Sequence, residues 1–207
     1  MESNLITRYK FECGWNKNID FKTESEMLLK VLNSAEKEND IQKYIKENKK
    51  WFIPASLFGD YDFGHHEAFL VPEQSLGKEY KVDYMLVGKN SVGYNIVLVE
   101  FENVNVDYKN KFKNGETIYV RNGLVQIQDW KRWMDNNREY FMRSCGLSDI
   151  SNNIPTWGIR YCLVVSRREK IDKTANDMRR QTEVMNGIHI VTYDRLVDNV
   201  ARLTNGF

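Results

Sequence analysis

The chain has 207 residues, 42% of them hydrophobic and 13% aromatic, and a formal net charge of +1. That length suits one substantial core and is short for two. No apolar run approaches the ~20 residues of a membrane span, and Met1-Glu2-Ser3-Asn4 opens no apolar signal core, so a soluble, cytoplasmic protein without a membrane partner is expected. The three cysteines, Cys13, Cys145 and Cys162, are odd in number and far apart, which argues against a disulfide framework and a zinc site. Residues 1–100 carry 13 basic and 16 acidic side chains (−3), and residues 101–207 carry 17 and 13 (+4). A mildly basic second half is compatible with nucleic acid without requiring it.

In chain order, the first twenty-odd residues lack periodicity and read as a short strand pair or a flexible arm. A helix is expected over Glu24–Asn33 and a second over Glu36–Lys49, with Ile41, Tyr44 and Ile45 as its apolar stripe. Pro54 and Gly59 mark residues 52–64 as a turn-rich loop. Strands follow at Ala68–Val71, Tyr80–Val87 and Tyr94–Glu102; the last is apolar on both faces and reads as central. The polar segment 103–115 reads as a mobile loop. Then come a helix over Ile118–Tyr140, a strand over Gly158–Ser166, a helix over Asp172–Asn186 with Gly187 as its C-cap, a strand over Ile188–Thr192 and a helix over Asp194–Leu203. Three meandering strands, a crossover helix and further strands predict an α/β fold with a mixed β-sheet flanked by helices.

Asp83 lies inside the apolar run Lys81–Val87, and Ile96–Val99 runs into Glu100-Phe101-Glu102. Residues two apart on a strand share a face, so Glu100 and Glu102 project together. Buried carboxylates require compensation. A divalent metal supplies it, and a metal held by acids is suited to phosphodiester hydrolysis. The paired carboxylates of a glycosidase would flank a substrate; these two glutamates share one strand.

An Asp on one strand and Glu-x-Glu on the next, in this element order, resembles the PD-(D/E)XK nuclease superfamily. The resemblance implies a restriction-endonuclease-like core of order αβββαβ, with C-terminal αβα additions. It implies Asp83 and Glu100 as ligands of Mg²⁺ (Mn²⁺ as substitute) and Glu102 in the third catalytic position, where lysine is usual. Glu38 resembles the opening-helix acid that assists metal binding. Gln126, four residues before Trp130 on one helix side, can donate to a scissile phosphate or orient a metal-bound water, and RecB-like members carry a similar glutamine with an aromatic four residues later.

Several segments narrow the resemblance: Glu38–Asn48 with Trp51-Phe52, Val82-Asp83-Tyr84, Leu98-Val99-Glu100, Gln126–Trp133, Leu163–Arg168 and Val191–Leu196. In this order they look like the nuclease domain of the Shedu anti-phage family. That resemblance implies a metal-dependent DNA endonuclease acting against phage DNA, commonly a homo-oligomer. A symmetric dimer or tetramer suits double-strand cutting. Residues 1–35 are assigned as an N-terminal extension (short arm and helix) and 36–207 as the nuclease-like domain. The rival reading is a catalytically silent module that binds nucleic acid or a protein partner.

Lys109, Lys111 and Lys113, in the loop after the acids, and Arg167 and Arg168, after a buried strand, are the candidate DNA-backbone contacts. The adjacent His65 and His66 cannot readily share a metal and read as surface. Trp130 and Trp133 read as core.

Overall fold

The computed structural model describes residues 19–112, 114–148, 150 and 154–203. The expected arm before Ile19, and Lys113, lie outside the described residues. Asp20 starts α1 (Phe21–Ser34) by accepting the Lys22 and Thr23 N–H groups at 3.1 and 3.2 Å. Asp40 closes a cap at the start of α2 (Glu38–Glu47) by accepting the Glu36 and Lys37 N–H groups. Five strands follow in spatial order β1-β2-β3-β4-β5: β1 (Glu67–Leu76), β2 (Tyr80–Lys89), β3 (Tyr94–Phe101), β4 (Ile159–Val164) and β5 (His189–Val191). The first three form an antiparallel meander, and β4 and β5 run parallel to β3. The mixed sheet expected from the element order is therefore present.

Because side chains alternate across a strand, the sheet divides the interior into two layers. On one side, Met85, Val87, Ile96, Leu98 and Leu163 pack against Ile127, Trp130 and Trp133 of the helix α4 (Ile118–Ser144) and against Ala175 of α5 (Lys173–Asn186). On the other, Leu70, Leu86, Val97, Val99, Cys162 and Val164 meet α1, α2 and α6 (Tyr193–Arg202) through Leu28, Ile41, Ile45, Leu196 and Val200. The long apolar run of β3 is central because it is covered on both faces. Gly187 takes φ +58° and ends α5, as its position after the helical pattern predicts. Among the described residues no helix is long and apolar enough to cross a membrane.

Several segments differ from the sequence reading. Residues 52–64 are not merely a loop: α3 (Phe52–Ala55) and a 3₁₀ turn (Ser56–Asp60) bury Phe52, Ile53, Leu57 and Phe58 under the sheet. Their apolar content outweighs the breakers Pro54 and Gly59. Strand β1 runs past Pro72 to Leu76, which an edge strand tolerates. The break appears one residue later, at Glu73, whose φ is +55° and which drops out of the ladder opposite Asp83.

The 103–115 loop is anchored where it is described. Val104 and Tyr108 are buried, and Asn105 Nδ2 donates to the Leu32 and Ala35 carbonyls at 2.9 and 2.7 Å. Lys109 and Glu116 form a β-bridge. Helix α4 extends to Ser144 and kinks at Asn137 (φ −126°), whose side chain donates to the Trp133 carbonyl.

Candidate active site

The register of β2 and β3 brings two of the three acids together. Tyr84 pairs with Val99, so Asp83 and Glu100 stand side by side one step further along the ladder. There the strands part, and Asp83 Oδ2 takes the place of a ladder carbonyl by accepting the Phe101 N–H at 2.7 Å. Glu100 shares the Leu98 face, toward α4, where Gln126 Nε2 donates to Glu100 Oε1 at 2.6 Å. Glu102 follows on the same face and is fixed by its backbone. Its N–H donates to the Val164 carbonyl at 2.8 Å, and its own carbonyl accepts the buried Tyr193 hydroxyl at 2.7 Å.

Glu38 reaches the cluster from the first turn of α2. One turn later Gln42 donates to Glu38 Oε1 at 3.2 Å and accepts the Tyr84 hydroxyl at 3.4 Å. It also opposes the burial that raises the Asp83 pKa. Sequence reasoning assigned Gln42 no role. Its signal is the spacing of four from Glu38, which puts both on one helix side.

Electrostatically these acids are uncompensated. Burial first, then the charges of Asp83, Glu38 and Glu102, pushes Glu100 up to about 11. Burial and the Asp83 charge raise Glu38 to about 7. Burial also raises Asp83 and Glu102. Among the described residues no lysine, arginine or histidine forms an ion pair with any of the four or is named as lowering its pKa. Glu100 Oε2 is buried without a hydrogen-bond partner.

The donor set, carboxylate oxygens with amide oxygens beside them, matches a hard divalent cation. The orphaned Glu100 oxygen marks where positive charge is missing. Among the described residues no three Asp, Glu, His or Cys side chains stand ready as a ligand shell. Mg²⁺ does not require three, since it keeps several waters and binds through one or two carboxylates. Asp83 and Glu100 therefore fit it.

Close approach of α4 to the acids depends on Gly123. A Cβ there would lie 2.6 Å from Leu163 Cδ1 and 2.8 Å from Glu102 Cγ. Alanine favours a helix interior by ~1 kcal/mol over glycine, yet Gly123→Ala should destabilise by about 1–3 kcal/mol because the clash forces α4 off the sheet. Chemical denaturation measures this, and a more stable variant would show the contact to be soft.

The other predicted residues are distributed differently. Arg167 is 4% exposed and turned inward: its Nε and one terminal nitrogen donate to Asp194, and the other donates to Asn33 Oδ1 at 3.0 Å. Its guanidinium is thus held inside the protein. Arg168 is exposed and pairs with Asp198. Lys111 is exposed and pairs with Asp107 at 2.8 Å, on the loop that leaves directly from Glu102. His65 and His66 are exposed, and Trp130 and Trp133 are core.

Fold and site together define an α/β domain whose mixed sheet presents a buried acidic cluster between its central strands and α4. The model of the family described as Shedu protein SduA, C-terminal, matches residues 35–197. The chain belongs to the Shedu family, a family of defence proteins. No curated protein matches it.

Proposed function

We propose that the chain is a metal-dependent DNA endonuclease of the PD-(D/E)XK type, acting in anti-phage defence. The observation that carries this reading is the cluster of Glu38, Asp83, Glu100 and Glu102 with no basic partner among the described residues and one orphaned buried oxygen. Such an arrangement is costly unless a cation completes it.

Asp83 and Glu100 would hold Mg²⁺ or Mn²⁺, with Glu38 beside them. When bound, the ion supplies the positive charge that a phosphodiester needs as charge builds on its oxygens. Gln126 fixes the Glu100 carboxyl through Oε1 and leaves Oε2 for the cation. Gln42 fixes the Glu38 carboxyl in the same way, through Oε1. Glu102, whose pKa burial raises, would serve as the base that accepts a proton from the attacking water. Lys109, Lys111 and Arg168 would meet the DNA backbone, and a homo-oligomer would pair two single-strand cuts.

The silent-module reading is favoured by the lack of a preformed ligand shell and by glutamate where lysine is usual. Incubating plasmid, linear and single-stranded DNA with the protein and Mg²⁺ or Mn²⁺ separates the two. Cleavage by wild type, lost in Asp83→Ala and Glu100→Gln and kept or raised in Glu102→Lys, supports the enzyme. DNA binding without cutting under either ion establishes the module.

A further inference from the structure

We propose that the groove straddling the free edge of β5 binds a nucleotide through its phosphate, at a site separate from the acid cluster. The groove has a volume of about 850 Å³ between α5 and α6, with His189 and Val191 of β5 among its lining residues. That is the size of a small-molecule site rather than of an extended nucleic-acid track. Five cationic side chains line it: Arg168, Lys173, Arg179, Arg180 and Arg195.

The acids of the groove are already occupied. Asp172 accepts the Ala175 N–H at 2.7 Å, Asp198 pairs with Arg168, and Glu183 Oε1 lies 2.5 Å from His189 Nδ1. The amino end of α5 is therefore capped and is not the source of attraction. Lys173 and Arg180 have no acidic partner among the described residues. Arg195 Nε is 3.9 Å from Asp60 Oδ1, a loose contact that leaves its charge available.

His189 offsets two of the neighbouring acids. Burial pulls its pKa down, but Asp60 and Glu183 outweigh burial and hold it up to about 9, so the ring is an imidazolium at neutral pH. The groove is thus cationic beyond what its own acids neutralise. Arginine and lysine side chains lining one groove suit a phosphate dianion.

Two further features select a nucleotide. Arg179 donates to the Ile190 carbonyl, which occupies an acceptor on the open edge of β5, so an added peptide strand is disfavoured. Ile171 and Val184 put apolar surface beside the cations, and Val184 is 83% exposed. A nucleobase covers such surface, whereas bare phosphate does not.

The proposal does not depend on the nuclease reading, and calorimetry tests it without cleavage. The full chain, in chelator so that the acid cluster repels anions, is titrated with ATP, AMP, inorganic phosphate and a short oligonucleotide lacking terminal phosphate. ATP and AMP should bind, and Lys173→Glu with Arg180→Glu should weaken both by about tenfold or more. Circular dichroism and melting temperature should stay unchanged, since neither side chain has a partner to lose. Three results would overturn the proposal: no heat from either nucleotide at millimolar concentration, inorganic phosphate or the oligonucleotide binding as tightly as AMP, or a double variant that binds like wild type.

Discussion

The metal-free protein should lose stability as pH rises from about 5 to 8, by on the order of 5–10 °C in melting temperature. Mg²⁺ or Mn²⁺ should restore most of that loss. A carboxyl whose folded pKa lies above its unfolded value stabilises the fold while protonated. Its contribution is complete below the ordinary carboxylate range and is lost as pH climbs toward the folded pKa, because the folded state then binds more protons than the unfolded one. Glu100, at about 11, is the main source, and Glu38, at about 7, adds to the loss near neutrality.

Glu100→Gln keeps the shape and removes the titration, so most of the pH dependence should vanish with it. The same variant should melt higher than wild type at pH 8 without metal and gain less from metal. It should also be inactive if the endonuclease reading is right. Thermal scans at pH 5 and 8, with and without each ion, check all of this. A wild-type protein equally stable at both pH values, or indifferent to both ions, would remove the basis for a cation site between Asp83 and Glu100.

Arg167→Ala should destabilise the fold by about 3–5 kcal/mol, enough to lower the melting temperature by roughly 10 °C in a chain of this size. The guanidinium ties the end of β4 to α6 through Asp194 and to α1 through Asn33. Asp194 also accepts the Arg168 N–H at 2.7 Å, and its pKa is lowered although burial opposes this, because Arg167 and the Arg168 backbone bond its carboxylate. Deleting Arg167 leaves that half-buried charge without its main partner. Arg167→Lys should recover only part of the loss, because an ammonium cannot make the forked contact. Arg168→Ala, on an exposed pair, should cost no more than ~1 kcal/mol. Urea denaturation of the three variants gives the ranking, and equal losses for Arg167→Ala and Arg168→Ala would refute the structural role.

These two arginines show how far residue order can be read. That basic residues follow β4 is plain from Leu163–Arg168, but nothing in Arg167-Arg168 says which one turns inward. That depends on Asp194 and Asn33, which lie 27 and 134 residues away along the chain. The loop after Glu102 is similar. Its polar composition suggested mobility, whereas Asn105 and Tyr108 tie it to α1 and the core. Residues 52–64 carry turn formers yet bury aromatic and aliphatic side chains, because only the assembled sheet provides the surface they cover.

Local rules determined the strands β2 to β4, the shared face of Glu100 and Glu102, the long helix with Gln126 and the C-cap at Gly187. Periodicity, alternation and positive φ act within a few residues and need no distant partner. The strand register that sets Asp83 against Glu100, the entry of Gln42 beside Glu38, the inward turn of Arg167 and the cationic groove along β5 were decided by the tertiary structure alone. Each is a contact between groups far apart in the chain, and its energy exists only once both have been desolvated and brought together.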